Sequence, residues 1–468
     1  MSNAKKMLLS AAGNAGEPGL DITEVFSTFL YSGTSADQTI TNNIDLSEGG
    51  LVWLKSRTTT HAHYLFDTER GFTSGAGNFI SSNSVNGEAN TGNFGVSSFN
   101  SDGFSLHDGW SGANQSGANF ASWTFRKAEK FFDVVTYTGN KTIRTISHNL
   151  GTTVGTIMIK DLQYGEWVVY HRSAGSTKYL VLNGTGAEQT DSTYWNNTDP
   201  TDSVFTLGTA GGTNENGRPF VAYLFAHNDS GDGGFGPDGD QDIIKCGTYT
   251  EAGSGAQEIN LGFEPQWIMV KPSSGAGDWW MYDTMRGQSY GGSNRLKANV
   301  SDAEAAQGGY FAPTPNGFIA RLSGSAFFGS GVEVIYMAIR RGPLAPPEAG
   351  TEVFAMDTLG GTSPNPPGFY SGWPVDLALI TRKAEAEPRT VYDRLRGSSV
   401  ELRTNDTSAE QSATNALFDQ MNGYYEGGSV VSDIFSWMWK RAPGYFDVVT
   451  YTGNGAAGRT VSHNLGVA

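Results

Sequence analysis

Charge is scarce in this sequence. Asp, Glu, Lys and Arg make up 17% of its 468 residues, against about a quarter in an ordinary soluble domain. The charge that remains is acidic, a formal −16 at pH 7. Nucleic-acid binding depends on cations that displace phosphate counterions, so nucleic acid is excluded as a partner. Cysteine is nearly absent, Cys246 standing alone. That rules out an intramolecular disulfide framework and leaves burial and assembly to stabilise the fold, as suits a protein made in a cytoplasm. Long apolar runs are missing too. MLLSAA at 7–12 follows two lysines but is too short for a secretory core, and no stretch could span a bilayer as a helix, so membrane insertion is not expected.

Glycine is abundant, with 62 residues, about twice the usual share. Between the glycines lie short apolar runs rich in Val, Ile, Thr and aromatics, such as GGLVWLKSR, GTIMIKD and QWIMVKP. Runs of this length bounded by turn residues predict strands, and helical periodicity is hard to find. The expected fold is all-β, a tandem array of antiparallel β-sandwich or jelly-roll domains. In FDVVTYT, Phe132, Val134 and Thr136 face one way and Asp133, Val135 and Tyr137 the other, with only a weak difference in polarity between the faces. Such a strand fits a sandwich edge or a contact between adjoining units.

The strongest signal is internal repetition. A strand ending in Tyr and a turn recurs as FLYSG at 29–33, TYTGN at 136–140, TYTEAG at 248–253 and TYTGN at 450–454. A hydrophobic strand tipped by a cation follows, ending at Lys55, Lys160, Lys271 and Arg382. Next comes an aromatic strand with a charged turn: YLFDTERG at 64–71, WVVYHR at 167–172, WMYDTMRG at 280–287 and VYDRLRG at 391–397. A small motif then recurs around Asn83, Asn183, Asn299 and Asn405, and a final strand closes each unit. The predicted organisation is an N-terminal docking segment 1–20, sandwich repeats at 21–130, 131–241, 242–350 and 351–444, and the start of a fifth at 445–468. An isolated opening strand cannot bury its apolar face, so the natural chain is expected to continue beyond residue 468. The junctions at 227–242 and 340–350 are long and read as flexible or bent joints in a line of beads.

Catalysis would need a convergence of groups that breaks the repeat, and none stands out. The pairs Asp67 with Arg70, Asp283 with Arg286 and Asp393 with Arg396 recur in successive repeats, as turn-closing ion pairs do; the second repeat has His171 and Arg172 instead. No cofactor or resident metal is expected. Among weak metal candidates, Asp232, Asp238, Asp240 and Asp242 lie, with Asp229, on a Gly-rich joint that could wrap Ca²⁺, although the spacing fits no EF-hand and a flexible acidic linker is the plainer reading. His61 and His63 share a strand face and could gather around a transition metal in a threefold assembly, though solvated histidines are the plainer reading. His148 and His463, in matching SHNLG turns, are expected to satisfy local backbone groups. Tyr194, Trp195, Asn196 and Asp199 in TYWNNTDPTD, and Trp110 in HDGWSGANQ, offer a flat apolar surface beside amides and carboxylates, as shallow glycan sites do. Buried or inter-unit aromatics explain the same residues equally well.

The phrases MSNAKKMLLSAAG, FSTFLYSG, LVWLKSR, LFDTERG, SWTFRKA, FFDVVTYTGN, SHNLG and WNNTDPTDSVFTLG together resemble an uncharacterised repeat domain of virion structural proteins, tail fibre and tail proteins among them, from marine tailed bacteriophages. The resemblance implies a non-enzymatic virion component of lectin-like sandwiches, assembled in the host cytoplasm and located in the tail. Its implied partners are other tail proteins, with attachment through the first domains and host-surface glycan reached by later ones. Phage fibres in general suggest a homotrimer. The rival readings are a capsid decoration or other purely architectural virion protein and, behind it, a polysaccharide-degrading tail spike.

Overall fold

A computed structural model describes residues 19–466, except 74, 91, 93, 230, 232, 322–323, 325, 359–367, 383–388, 398–399, 413–415 and 427–433. The candidate docking segment 1–20 therefore lies almost wholly outside the described residues, as does Asp232. The chain is all-β, as expected, and among the described residues every strand pair is antiparallel, with one isolated parallel bridge between Gly33 and Ser116.

Four modules share one strand order. In module 1 the opening strand Phe26–Ser32 pairs with the closing strand Asn119–Arg126, which pairs with Gly50–Ser56 and then Tyr64–Asp67. Module 2 repeats this with Phe132–Thr138, Pro219–Ala226, Val154–Asp161 and Trp167–His171. Module 3 does so with Ile244–Thr250, Glu333–Arg340, Pro265–Pro272 and Trp280–Asp283, and module 4 with Phe354–Thr358, Ile434–Trp439, Leu377–Arg382 and Thr390–Asp393. A smaller sheet of two or three strands covers one face of each large sheet.

The recurring asparagines hold equivalent corners. Asn83, Asn183, Asn299 and Asn405 each accept, through Oδ1, the backbone N–H of His63, Trp167, Trp279 and Arg389 at 2.8 to 3.0 Å. A side chain that replaces a backbone acceptor fixes the start of the next strand without adding a ladder bond.

The large sheets are apolar on both faces because both are buried. In Gly50–Ser56 all seven residues are buried. Val52 and Leu54 point into module 1's own sandwich, while Leu51 and Trp53, with the alternation of a strand, point the other way into a second core. That second core is shared: Trp53 and Trp123 of module 1, Met158 and Tyr223 of module 2, and Met269 and Met337 of module 3 belong to one buried cluster. The strand registers place these three pairs at equivalent positions.

Modules 1 to 3 therefore close into a ring about a common core, and the linear array expected from the sequence is corrected for them. A second apolar face on each sheet must be covered, and two sister sheets cover it more completely than solvent or a tether could. The joint at 227–242 is likewise folded in place: Phe235 is buried against Phe131, and Gly236 donates its N–H to Leu20.

Module 4 stands beside this ring. Its sandwich core, around Ala378, Tyr392, Tyr424 and Met438, is a separate cluster. The segment 445–466 forms no strand among its described residues, yet it repeats the second module's opening contacts. Asp133 accepts the N–H groups of Val134 and Asn149, and Asp447 those of Val448 and Asn464, at 2.9 and 2.7 Å in both places.

Candidate functional site

The chemically richest places in the molecule are the seams between modules. The charged turn after the fourth strand of the large sheet supplies the first element. In modules 1, 3 and 4 the aspartate accepts the backbone N–H of the arginine three residues on, at 2.8 Å, and pairs with its Nε. The same guanidinium donates to the carbonyls of Leu65, Met281 and Val391 respectively, and reaches Glu88, Glu304 and Glu410. The turn-closing reading of this motif accounts for these contacts.

In the ring the same aspartates also receive a donor from the next module. Tyr223 of module 2 donates its hydroxyl to Asp67 Oδ2 at 2.6 Å, and Trp123 of module 1 donates Nε1–H to Asp283 Oδ2 at 3.2 Å. The third seam differs. The residue equivalent to Tyr223 and Trp123 is Met337, which has no proton to give, and the residue equivalent to the aspartate is His171. His171 Nε2 lies 3.1 Å from the Tyr336 carbonyl, and burial pushes its pKa down to about 4, so the neutral ring is the donor there. The second repeat departs from the DTxRG pattern because its partner cannot serve an aspartate.

The strand-tipping cations form a second belt. Lys160 Nζ donates to Asp161, Gly165 and, across the seam, Val85; Lys271 donates to Pro272, Gly186 and, at 3.4 Å, Thr185 of module 2. Lys55 donates to the Ser56 and Thr59 carbonyls. Burial pushes all three amines down to about 8. Beside them the backbones of adjacent modules touch: the N–H groups of Glu88, Glu188 and Glu304 donate to Leu162, Ser273 and Arg57, each at 2.8 Å. Gly87 lies at such a contact, since a Cβ there would sit 2.2 Å from the Gln163 carbonyl oxygen.

Module 4 joins through buried ions. Arg441 is fully buried and donates both terminal nitrogens to Glu264 of module 3, at 3.1 and 2.9 Å. Burial works against the Asp376 carboxylate, but Arg441, Arg394 and Arg341 outweigh it and hold its pKa below the usual range. Arg57 ties module 1 to both Glu304 and Asp419. Between modules 1, 3 and 4 lies a cleft of about 360 Å³ whose walls include Asn42, Gln266, Trp373, Asp376, Arg394 and Lys440. Its charged groups already face one another, so the arrangement can lock modules in register and shows no nucleophile paired with a base.

The residues singled out for metal or sugar do not converge. Asp242 accepts N–H groups of Gly231 and Gly233, while Asp238 and Asp240 are exposed. Among the described residues no group of three or more His, Cys, Asp or Glu could hold a metal ion. Trp195 is 1% exposed and packs edge-on to Tyr170, so its indole offers no stacking surface. Asn196 caps a single-turn helix in a left-handed conformation, and Asp199 accepts from Tyr170 and Ser176. Trp110 packs on Tyr64 in module 1, with ring centroids 4.3 Å apart. Trp110 and Tyr194 are both half-buried against the core of their own module, Tyr194 stacked on Tyr179 at 3.9 Å.

The histidines divide similarly. His63 is buried, and its Nδ1 accepts from Trp53 Nε1 at 2.9 Å, which removes it from any cluster with half-buried His61. His148 and His463 accept the N–H groups of Leu150 and Leu465, as their turns imply. Sequence reasoning missed the inter-module donors Trp123, Tyr223 and His171, and took the strand-tipping lysines only as markers of the repeat. The exchange of Asp for His at position 171 was the visible signal.

The chain belongs to the family defined by a domain of unknown function, DUF7483, whose match covers residues 21–343. That span holds the three ring modules. No curated protein matches the chain.

Proposed function

We propose that this protein is a structural, non-catalytic component of a bacteriophage particle, a tail fibre or tail-associated protein that helps present the particle to a host surface. One observation carries the reading: buried groups that could have supplied chemistry, among them Asp67, Asp283, Lys160, Lys271, His171 and Arg441, are engaged in hydrogen bonds from one module to the next. A body whose ionic groups are already paired across internal seams is rigid, which favours bearing load and displaying surfaces over turning over a substrate. The resemblance of the repeated phrases to those of tail proteins supports the location. The closed ring gives weight to a second, purely architectural reading as a capsid decoration protein, because three modules folded together reach less far than three in a row.

Electron microscopy of intact particles, with an antibody raised against the ring, separates the two. Label on the tail supports the proposal; label on the capsid lattice replaces it with the decoration reading. Release of reducing sugar from host polysaccharide by the purified protein would overturn the non-catalytic assignment.

A further inference from the structure

Module 4 keeps the sheet face that modules 1 to 3 bury at the centre of their ring, and leaves it open. Leu377, Leu379, Val391, Trp437 and Trp439 are half-buried and Met356 is 64% exposed. Leu51, Trp53, Leu65, Trp123 and Phe125, at the equivalent positions in module 1, are 0–1% exposed. Half of a sandwich sheet is thus surfaced with Leu, Trp and Met, a composition that marks an interaction site.

We propose that module 4 forms a second ring of the same kind with the fourth modules of two other copies of this chain. The argument for identical copies is that this module carries both halves of the seam. Trp437 stands where Trp123 donates, and Asp393, locked by Arg396 as Asp283 is by Arg286, stands where the partner aspartate accepts. Within the ring only module 1 has both an indole donor and an aspartate; modules 2 and 3 have His171 with Tyr223 and Asp283 with Met337. A head-to-tail contact between two different surfaces of identical chains closes if its rotation divides a full turn. The three covalently joined modules show that this sheet face closes at three. The segment after module 4 packs on the third module, Asn316 donating to Ser462 at 2.9 Å. It covers only the Trp439 edge of this face, where Phe446 lies with ring centroids 6.4 Å apart, leaving Trp437 half-buried and Met356 exposed. The inference does not depend on where the protein sits in a particle.

The test is the mass of the 468-residue chain in solution, by sedimentation and light scattering at roughly 1 to 100 µM. Three chain masses are expected. Trp437→Glu places a charge at the centre of the face and should give one chain mass with an unchanged circular dichroism spectrum. Trp437→Phe keeps the apolar surface but lacks the N–H, and should raise the dissociation constant at least about tenfold. If Trp437→Glu misfolds, Met356→Glu on the same exposed face decides. A chain that stays single at the highest concentration, assembles with another stoichiometry, or remains trimeric with a glutamate on this face overturns the proposal.

Discussion

Module 1 and module 4 share strand order, corner asparagine and charged turn, yet one sheet face is sealed in the first and open in the second. Trp53 and Leu379 occupy the same register position, the first 1% exposed and the second half-buried. The difference lies outside the module. Burial of an outward face is set by its neighbours, so one repeat unit is sealed in the ring or left partly open beside it according to its surroundings.

The comparison can be broken most sharply at its centre. Trp53→Ala should cost about 3–5 kcal/mol in urea unfolding, because the cavity is walled by rigid neighbours, whereas Leu379→Ala, made in a chain held single by Trp437→Glu, should cost about 1 kcal/mol. Equal losses in that single chain would show that the module 4 face is buried without partner copies.

The charged turns offer a second contrast. Arg286→Ala leaves the fully buried Asp283 without its cation, while Glu304 keeps Arg57, and should lose about 3–5 kcal/mol. Arg396→Ala, whose guanidinium is partly solvated, should lose about half as much, read by the same denaturation.

Within the ring, Tyr223→Phe removes a hydroxyl shared with Asp67 and Arg70 and should cost about 1.5–3 kcal/mol. That loss would bring the seam between modules 1 and 2 toward the one at Met337, which never had such a donor.

The most gradual effect is that of pH. Burial lowers the pKa of His63 and His171 in the fold, so below about pH 6.5 the unfolded chain binds protons that the folded ring refuses. Stability should be full above that value and fall with acid, by up to about 1.4 kcal/mol per pH unit for each histidine, until the folded rings protonate. For His171 that lower limit is about pH 4. Residues 351–444 contain no histidine, so module 4 should lack this contribution. His171→Gln should flatten the slope of urea midpoint against pH by one group.

The module was legible in the sequence because its strands, turns and corner asparagines are local and recur in order. The ring was not. Its signature is the weak polarity difference between strand faces, as in FDVVTYT, and that pattern fits an edge strand as well as one buried on both sides. Trp195 was ambiguous for a related reason: an aromatic beside Asn and Asp looks the same in sequence whether it fills its own core, as this one does, or awaits a sugar. Only the meeting of His171 with the closing strand of module 3, where it contacts the Tyr336 carbonyl beside Met337, a separation of 165 residues, explains why one repeat abandons the aspartate.

Joining three interlocking segments in a single polypeptide has a thermodynamic result beyond rigidity. Each segment meets its neighbours at the effective concentration of a tethered partner, so the triangle survives dilution that would scatter separate subunits. Covalent linkage also frees its three joints from identity, which is how a histidine opposite a methionine can persist beside two aspartates that face aromatic donors.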